Sequence, residues 1–208
     1  MSLPPTLTPA LLDELEQRWR TLGLPLLDRL RPGLTDAEID TLVAPLGLDL
    51  PEEARTWWRW HDGIDLEGAT GNGWTFGPDR RPFGPLAAAV GECERLRTMA
   101  GELADPSAGR DETYWWSPTW FPLTTGGKPL VCDCAVAGRV TPIRIYDTHV
   151  ETFHKPRADS FGQVVTWWIE AYDNGEWQFV ADQWIRNVDL VAERAVLPPG
   201  EHRRYDFV

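Results

Sequence analysis

Leu50-Pro51-Glu52-Glu53-Ala54-Arg55-Thr56-Trp57-Trp58-Arg59-Trp60-His61-Asp62-Gly63 reads as one short helix. Proline suits the first helical position, where an N–H would be unsatisfied anyway, and Glu52 and Glu53 suit the positive end of the helix dipole. Gly63 can take the left-handed exit. Ala54, Trp57, Trp58 and His61 follow the helical period, so the segment presents one aromatic face to a core.

Two more helices are expected before it. Thr8-Pro9 is an N-cap followed by proline, and Leu11, Leu15, Trp19 and Leu22 line one face of a helix over residues 8–23, ended by Gly23 or by Leu24-Pro25. Thr35 and Glu38 have capping-box spacing, ahead of Ile39, Leu42, Val43 and Leu46, and Gly47 closes that helix. After Gly63 the chain turns Gly-rich as far as Pro85, with Trp74-Thr75-Phe76 as a possible short strand. Residues 86–103 return to helical spacing through Val90, Cys93, Leu96 and Ala100, and 105–112 form a polar break. Strand-like runs follow at 119–123, 129–134 and 139–145, with a fourth at 150–153, and their short connections favour antiparallel pairing. Asp159 or Ser160 caps a further helix carrying Phe161, Val165, Trp168 and Tyr172 on one face. Beyond Glu176 a helix from Ala181 to Ala195 and an extended tail are expected. The fold class is therefore α+β: a single domain over 1–208 with N-terminal helices, a central mostly antiparallel sheet and a C-terminal helix packed on it.

Composition narrows the function. The 208 residues include 42% hydrophobic residues and 12 tryptophans, enough for a packed core. No run approaches the ~18 apolar residues of a membrane span. Met1 to Thr8 lacks the features of a secretory signal, and an odd number of cysteines, 3, does not suggest a disulfide framework. A cytoplasmic location is expected. The 20 basic and 32 acidic side chains leave a net charge of −12, which repels nucleic-acid phosphates and suits a basic protein partner. The same charge also serves solubility alone.

The order of punctuating residues resembles the SUKH superfamily, which includes fungal cell-wall-assembly regulators and bacterial toxin-immunity proteins. The pieces are Leu50-Pro51 … Trp57-Trp58 … Asp62-Gly63; then Trp120-Phe121-Pro122-Leu123 … Gly126-Gly127 … Leu130-Val131-Cys132-Asp133; then Gly138-Arg139-Val140; and the late aromatic helix from Phe161 to Tyr172. The resemblance covers about residues 35–175, leaving the first helix and an extension over 176–208 outside it. It implies a binding protein without catalytic residues or cofactor. The leading expectation is a bacterial immunity protein that neutralises a basic toxin domain, such as a nuclease or deaminase; the alternative is an intracellular regulator or scaffold.

Enzymatic readings compete weakly. Cys132 and Cys134 share one strand face, and His149 and His154 could complete four zinc ligands, but the spacing matches no metal motif and core packing is the expectation. Nothing flanking the cysteines suggests an activated thiol, and neither a glycosidase-like carboxylate pair nor a phosphate-binding loop is present. His61 is expected to be a satisfied residue at the edge of the aromatic face. Asp133 either faces a pocket or supports the Gly-rich turn, or is a plain surface carboxylate on a strand. Trp19, Trp58 and Trp168 lie on core stripes. Trp60, Trp74, Trp115 and Trp116 lie off them, and with Asp62, Asp65, Glu67 and Asp133 they form the candidate partner-binding set, since aromatic anchors supply affinity and rim charge supplies steering.

Overall fold

The computed structural model describes residues 5–65, 67, 75, 81–126, 128–136, 138, 140–147 and 154–187. The helices are α1 (Pro9–Leu22), α2 (Asp36–Val43), α3 (Glu52–Trp60), α4 (Leu86–Leu103), α5 (Glu112–Trp115) and α6 (Phe161–Asp173). The strands are β1 (Leu30–Pro32), β2 (His61–Ile64), β3 (Trp120–Pro122), β4 (Leu130–Asp133), β5 (Arg144–Ile145), β6 (Trp177–Val180) and β7 (Gln183–Arg186). All pairing among them is antiparallel, in the sheets β1–β2, β3–β4–β5 and β6–β7. The chain is an α+β protein.

The locally encoded ends form as expected. Thr8 accepts from the Leu11 amide, and Gly23 leaves α1 with φ 69°. Thr35 and Glu38 make the reciprocal capping box of α2. Ser160, rather than Asp159, caps α6 by accepting from the Gln163 amide.

The opening helix is shorter than its sequence predicts. Pro51 is its N-cap and it stops at Trp60; His61 is extended, at φ −147° and ψ 139°, and begins β2. Gly63 does adopt φ 70°, but inside that strand, where a Cβ would collide with the Gly84 carbonyl. The physical reason is tertiary. Extending the chain at His61 lets Ile64 pair with Leu30 and turns Asp62 towards the start of α4.

The core is built around α3. Trp57 and Trp58 are fully buried. The Trp57 ring lies 4.3 Å from Phe83 and 5.1 Å from Phe161 of α6, and Trp58 packs edge-on against Phe121 of β3 at 5.7 Å. Trp19 and Trp168 are equally buried, as their stripes require. Helix α1 packs on α6 and α3, while α4 covers β3 and touches α2 and α5. In the three-stranded sheet Trp120 faces Asp133, Phe121 faces Cys132, and Val131 faces both Pro122 and Arg144.

Three readings of the chain are corrected or left aside. Of the helix expected from Ala181 to Ala195, the described part, 181–187, instead belongs to the hairpin β6–β7, whose Trp177 and Trp184 are buried, with Trp184 stacked on Tyr172 at 5.9 Å, and the remainder with the expected tail lies outside the described residues. The polar stretch after Asp105 holds a 3₁₀ turn, and α5 starts at Glu112, at its end. The possible strand ends Trp74 and Phe76 and the run 150–153 lie outside the described residues.

Candidate functional site

The candidate residues fall into two groups. The first surrounds the end of α3. Trp60 is half-buried, with its ring 5.6 Å from Trp19, 5.6 Å from Trp57 and 4.5 Å from His61. Asp62 is buried: its Oδ1 accepts from the Leu86 amide at 2.8 Å, the first residue of α4, and its Oδ2 accepts from Arg31 Nε at 3.0 Å. It thereby does the capping that Pro85 cannot, since proline has no side-chain acceptor. Asp65 and Glu67 are exposed, and Asp65 Oδ1 accepts from the Glu67 amide at 2.9 Å. Arg29 holds this loop by donating to the Glu67 carbonyl at 2.6 Å. Trp74 lies outside the described residues.

The second group lies by the three-stranded sheet. Trp115 is half-buried and meets Tyr114 edge-on at 5.1 Å, whereas Trp116 is buried against Trp120 and Tyr146. Asp133 is half-buried; its Oδ1 accepts from Thr119 Oγ1 at 2.7 Å and from the Ala135 amide at 3.1 Å. These bonds tie it to the residue before β3 and to the turn after β4. His61 is satisfied, with Nδ1 3.0 Å from the Arg31 carbonyl and Nε2 3.2 Å from Glu16.

The thiols sit in packed surroundings. Cys93 and Cys132 are buried and donate to the Trp120 and Phe121 carbonyls, while Cys134 is half-buried. Burial pushes the Cys93 thiol up to about 11 and raises Cys132 well above its ordinary value, so neither forms a ready thiolate. His154 packs edge-on to Tyr114 at 4.9 Å, and burial followed by the charge of Arg144 lowers its pKa. His149 lies outside the described residues, and among those no group of three or more His, Cys, Asp or Glu side chains could hold a metal ion.

Several surface features escaped sequence reading because they unite distant segments. Arg55 and Arg59 on α3 are wrapped by carboxylates from two sides: Arg55 reaches Asp40 and Asp49, each at 2.7 Å, and Arg59 reaches Asp36 and Glu52, each at 2.7 Å. These carboxylates stay 55–90% exposed. Two open cavities lie on the surface. One of about 520 Å³ lies over Leu48, Arg97 and Trp116, and one of about 480 Å³ lies between α2, Asp62 and Ala87. No helix among the described residues is long and apolar enough to cross a membrane.

Helices packed around short antiparallel sheets define an α+β molecule. Residues 33–167 match the SMI1 / KNR4 family (SUKH-1), and the chain belongs to that family. The match runs from the approach to α2 into α6, leaving α1 and the β6–β7 hairpin outside it. No curated protein matches the chain.

Proposed function

We propose that this protein acts by binding, without catalysis, as a cytoplasmic immunity protein that neutralises a cognate basic toxin in a stoichiometric complex. The observation that carries the reading is the charge arrangement within a SUKH-1 fold. The chain has a net charge of −12, and the arginines on α3 are already engaged by carboxylates that remain more than half exposed. Such a surface offers negative potential to a basic partner and repels phosphate backbones. Trp60, Asp65, Glu67, Trp74 and Trp115 are the proposed contact residues, with Asp62, Trp116 and Asp133 beside them in the same two groups.

Co-expression tests this directly. A toxic domain encoded beside this gene is expected to lose toxicity in the presence of the chain and to co-purify with it in equimolar amounts, with affinity falling as salt rises. If no neighbouring toxic domain binds or is neutralised, the immunity reading fails. The same surface would serve an endogenous partner in the regulatory alternative, which a gene neighbourhood lacking any toxin would favour.

A further inference from the structure

Cys132 and Asp133 end β4, and Cys134 opens the turn that follows it. Cys132 stands opposite Phe121 and Asp133 opposite Trp120; the Cys134 amide then donates to the Thr119 carbonyl at 2.8 Å, so the ladder carries on past Asp133. Residues two apart on an extended strand project to the same face. The two thiols meet there: burial first, and then a side-chain hydrogen bond with Cys134, raise the Cys132 pKa. A rise of about 3.3 Å per residue sets their Cα atoms about 6.6 Å apart, at the long end of the roughly 4.4–6.8 Å that disulfides span. A bridge between them needs no movement of another element.

The pair is asymmetric. Cys132 is 1% exposed and donates to the Phe121 carbonyl at 3.5 Å, whereas Cys134 is half-buried. A small oxidant in solution reaches the second thiol and not the first. The third thiol, Cys93 of α4, is buried and donates to the Trp120 carbonyl. Burial dominates its raised pKa, to which Cys134 adds through charge but without the direct contact it makes with Cys132.

We propose that Cys134 and Cys132 form a reversible oxidation site, in which hydrogen peroxide oxidises Cys134 and Cys132 resolves it as a disulfide within one strand. The Cys134 sulfur, as thiolate, attacks one peroxide oxygen. The O–O bond breaks, Cys134 becomes a sulfenic acid, and the departing hydroxide takes up the proton the thiol gave up, as water. The Cys132 sulfur then attacks the Cys134 sulfur. The S–S bond forms, the S–O bond breaks, and hydroxide leaves with the Cys132 proton as a second water. Two thiols lose two electrons, and one peroxide is reduced to two waters. Contact between the sulfurs offsets the scarcity of Cys132 thiolate, because the step is intramolecular. A bridge near its limit of reach, with one half-exposed sulfur, is of the labile kind that glutathione reduces.

The test treats the reduced full chain with hydrogen peroxide and maps the products by intact and peptide mass spectrometry. The chain should lose two hydrogens, with the bridge inside the peptide that carries Cys132 and Cys134, and glutathione should restore both thiols. Cys134→Ser should abolish the mass loss, and Cys93→Ser should leave it unchanged. Cys132→Ala should stop the reaction at a Cys134 sulfenic acid that dimedone traps. Should that variant fail to fold, the wild-type map and the other two variants still decide. A bridge to Cys93, a link between two chains, an unmodified Cys134, or its direct passage to sulfinic acid in the wild-type chain overturns the proposal. So does a Cys132–Cys134 bridge that glutathione leaves intact.

Discussion

Glu52 and Glu53 are adjacent acids at the start of one helix, and in sequence both suit its dipole. In the fold they part. Glu52 stays exposed and pairs with Arg59, whereas Glu53 is 1% exposed and accepts four backbone amides, from Leu7 at 2.8 Å, Thr141 at 2.7 Å, Phe161 at 3.2 Å and Gly162 at 2.9 Å. Phe161 and Gly162 open α6, so one carboxylate caps that helix and ties down the N-terminal segment and the loop before β5. Glu53→Gln replaces an acceptor oxygen with a donor facing N–H groups. It should cost about 3 kcal/mol in urea unfolding, against less than ~0.5 kcal/mol for Glu52→Gln. The cysteines differ in the same way: a thiol reagent should modify Cys134 in the native protein and reach Cys93 and Cys132 only after unfolding.

Secondary elements divide by where their determinants lie. Helices α1, α2 and α6 start at caps supplied by residues three positions or fewer away, and these were legible. Thr35→Ala should lower stability by ~1 kcal/mol in chemical denaturation, the usual cost of a lost N-cap. Strand β2 and the start of α4 depend on Asp62, which caps a helix 24 positions ahead, and no local pattern announces that. The β6–β7 hairpin was missed for a different reason. Its turn places Ala181 at φ 49° and Asp182 at φ 59°, a conformation that Asn-Gly would have advertised and Ala-Asp does not. Ala181→Asn with Asp182→Gly should therefore raise the unfolding free energy in chemical denaturation by about 1 kcal/mol.

For the molecule as a whole, pH dependence follows from His154. Its pKa lies below the ordinary 6.5 because burial, and then Arg144, disfavour the charged ring. The unfolded chain thus takes up this proton more readily than the folded one. The contribution of neutral His154 is complete above about pH 6.5 and declines as pH falls towards the lower folded value. The thermal midpoint should fall on acidification through this window, and His154→Gln should remove part of that slope.

The family, the α+β class and the core tryptophans were determined by the sequence alone, because caps, helical stripes and a Gly-punctuated order of strands are short-range or serial signals. The candidate site was only partly legible. Asp65 and Glu67 are exposed as their loop setting suggested, but Asp62, three residues from exposed Asp65, and Trp116, next to half-buried Trp115, are buried. Tertiary structure alone decided that Leu50–Gly63 would stop its helix at Trp60, that Glu53 would bind three separate segments, and that Ala37 and Ala87, from different helices, would line one cavity. Each of these depends on groups far apart in the chain, and burial or an acceptor's position is set only once those segments meet.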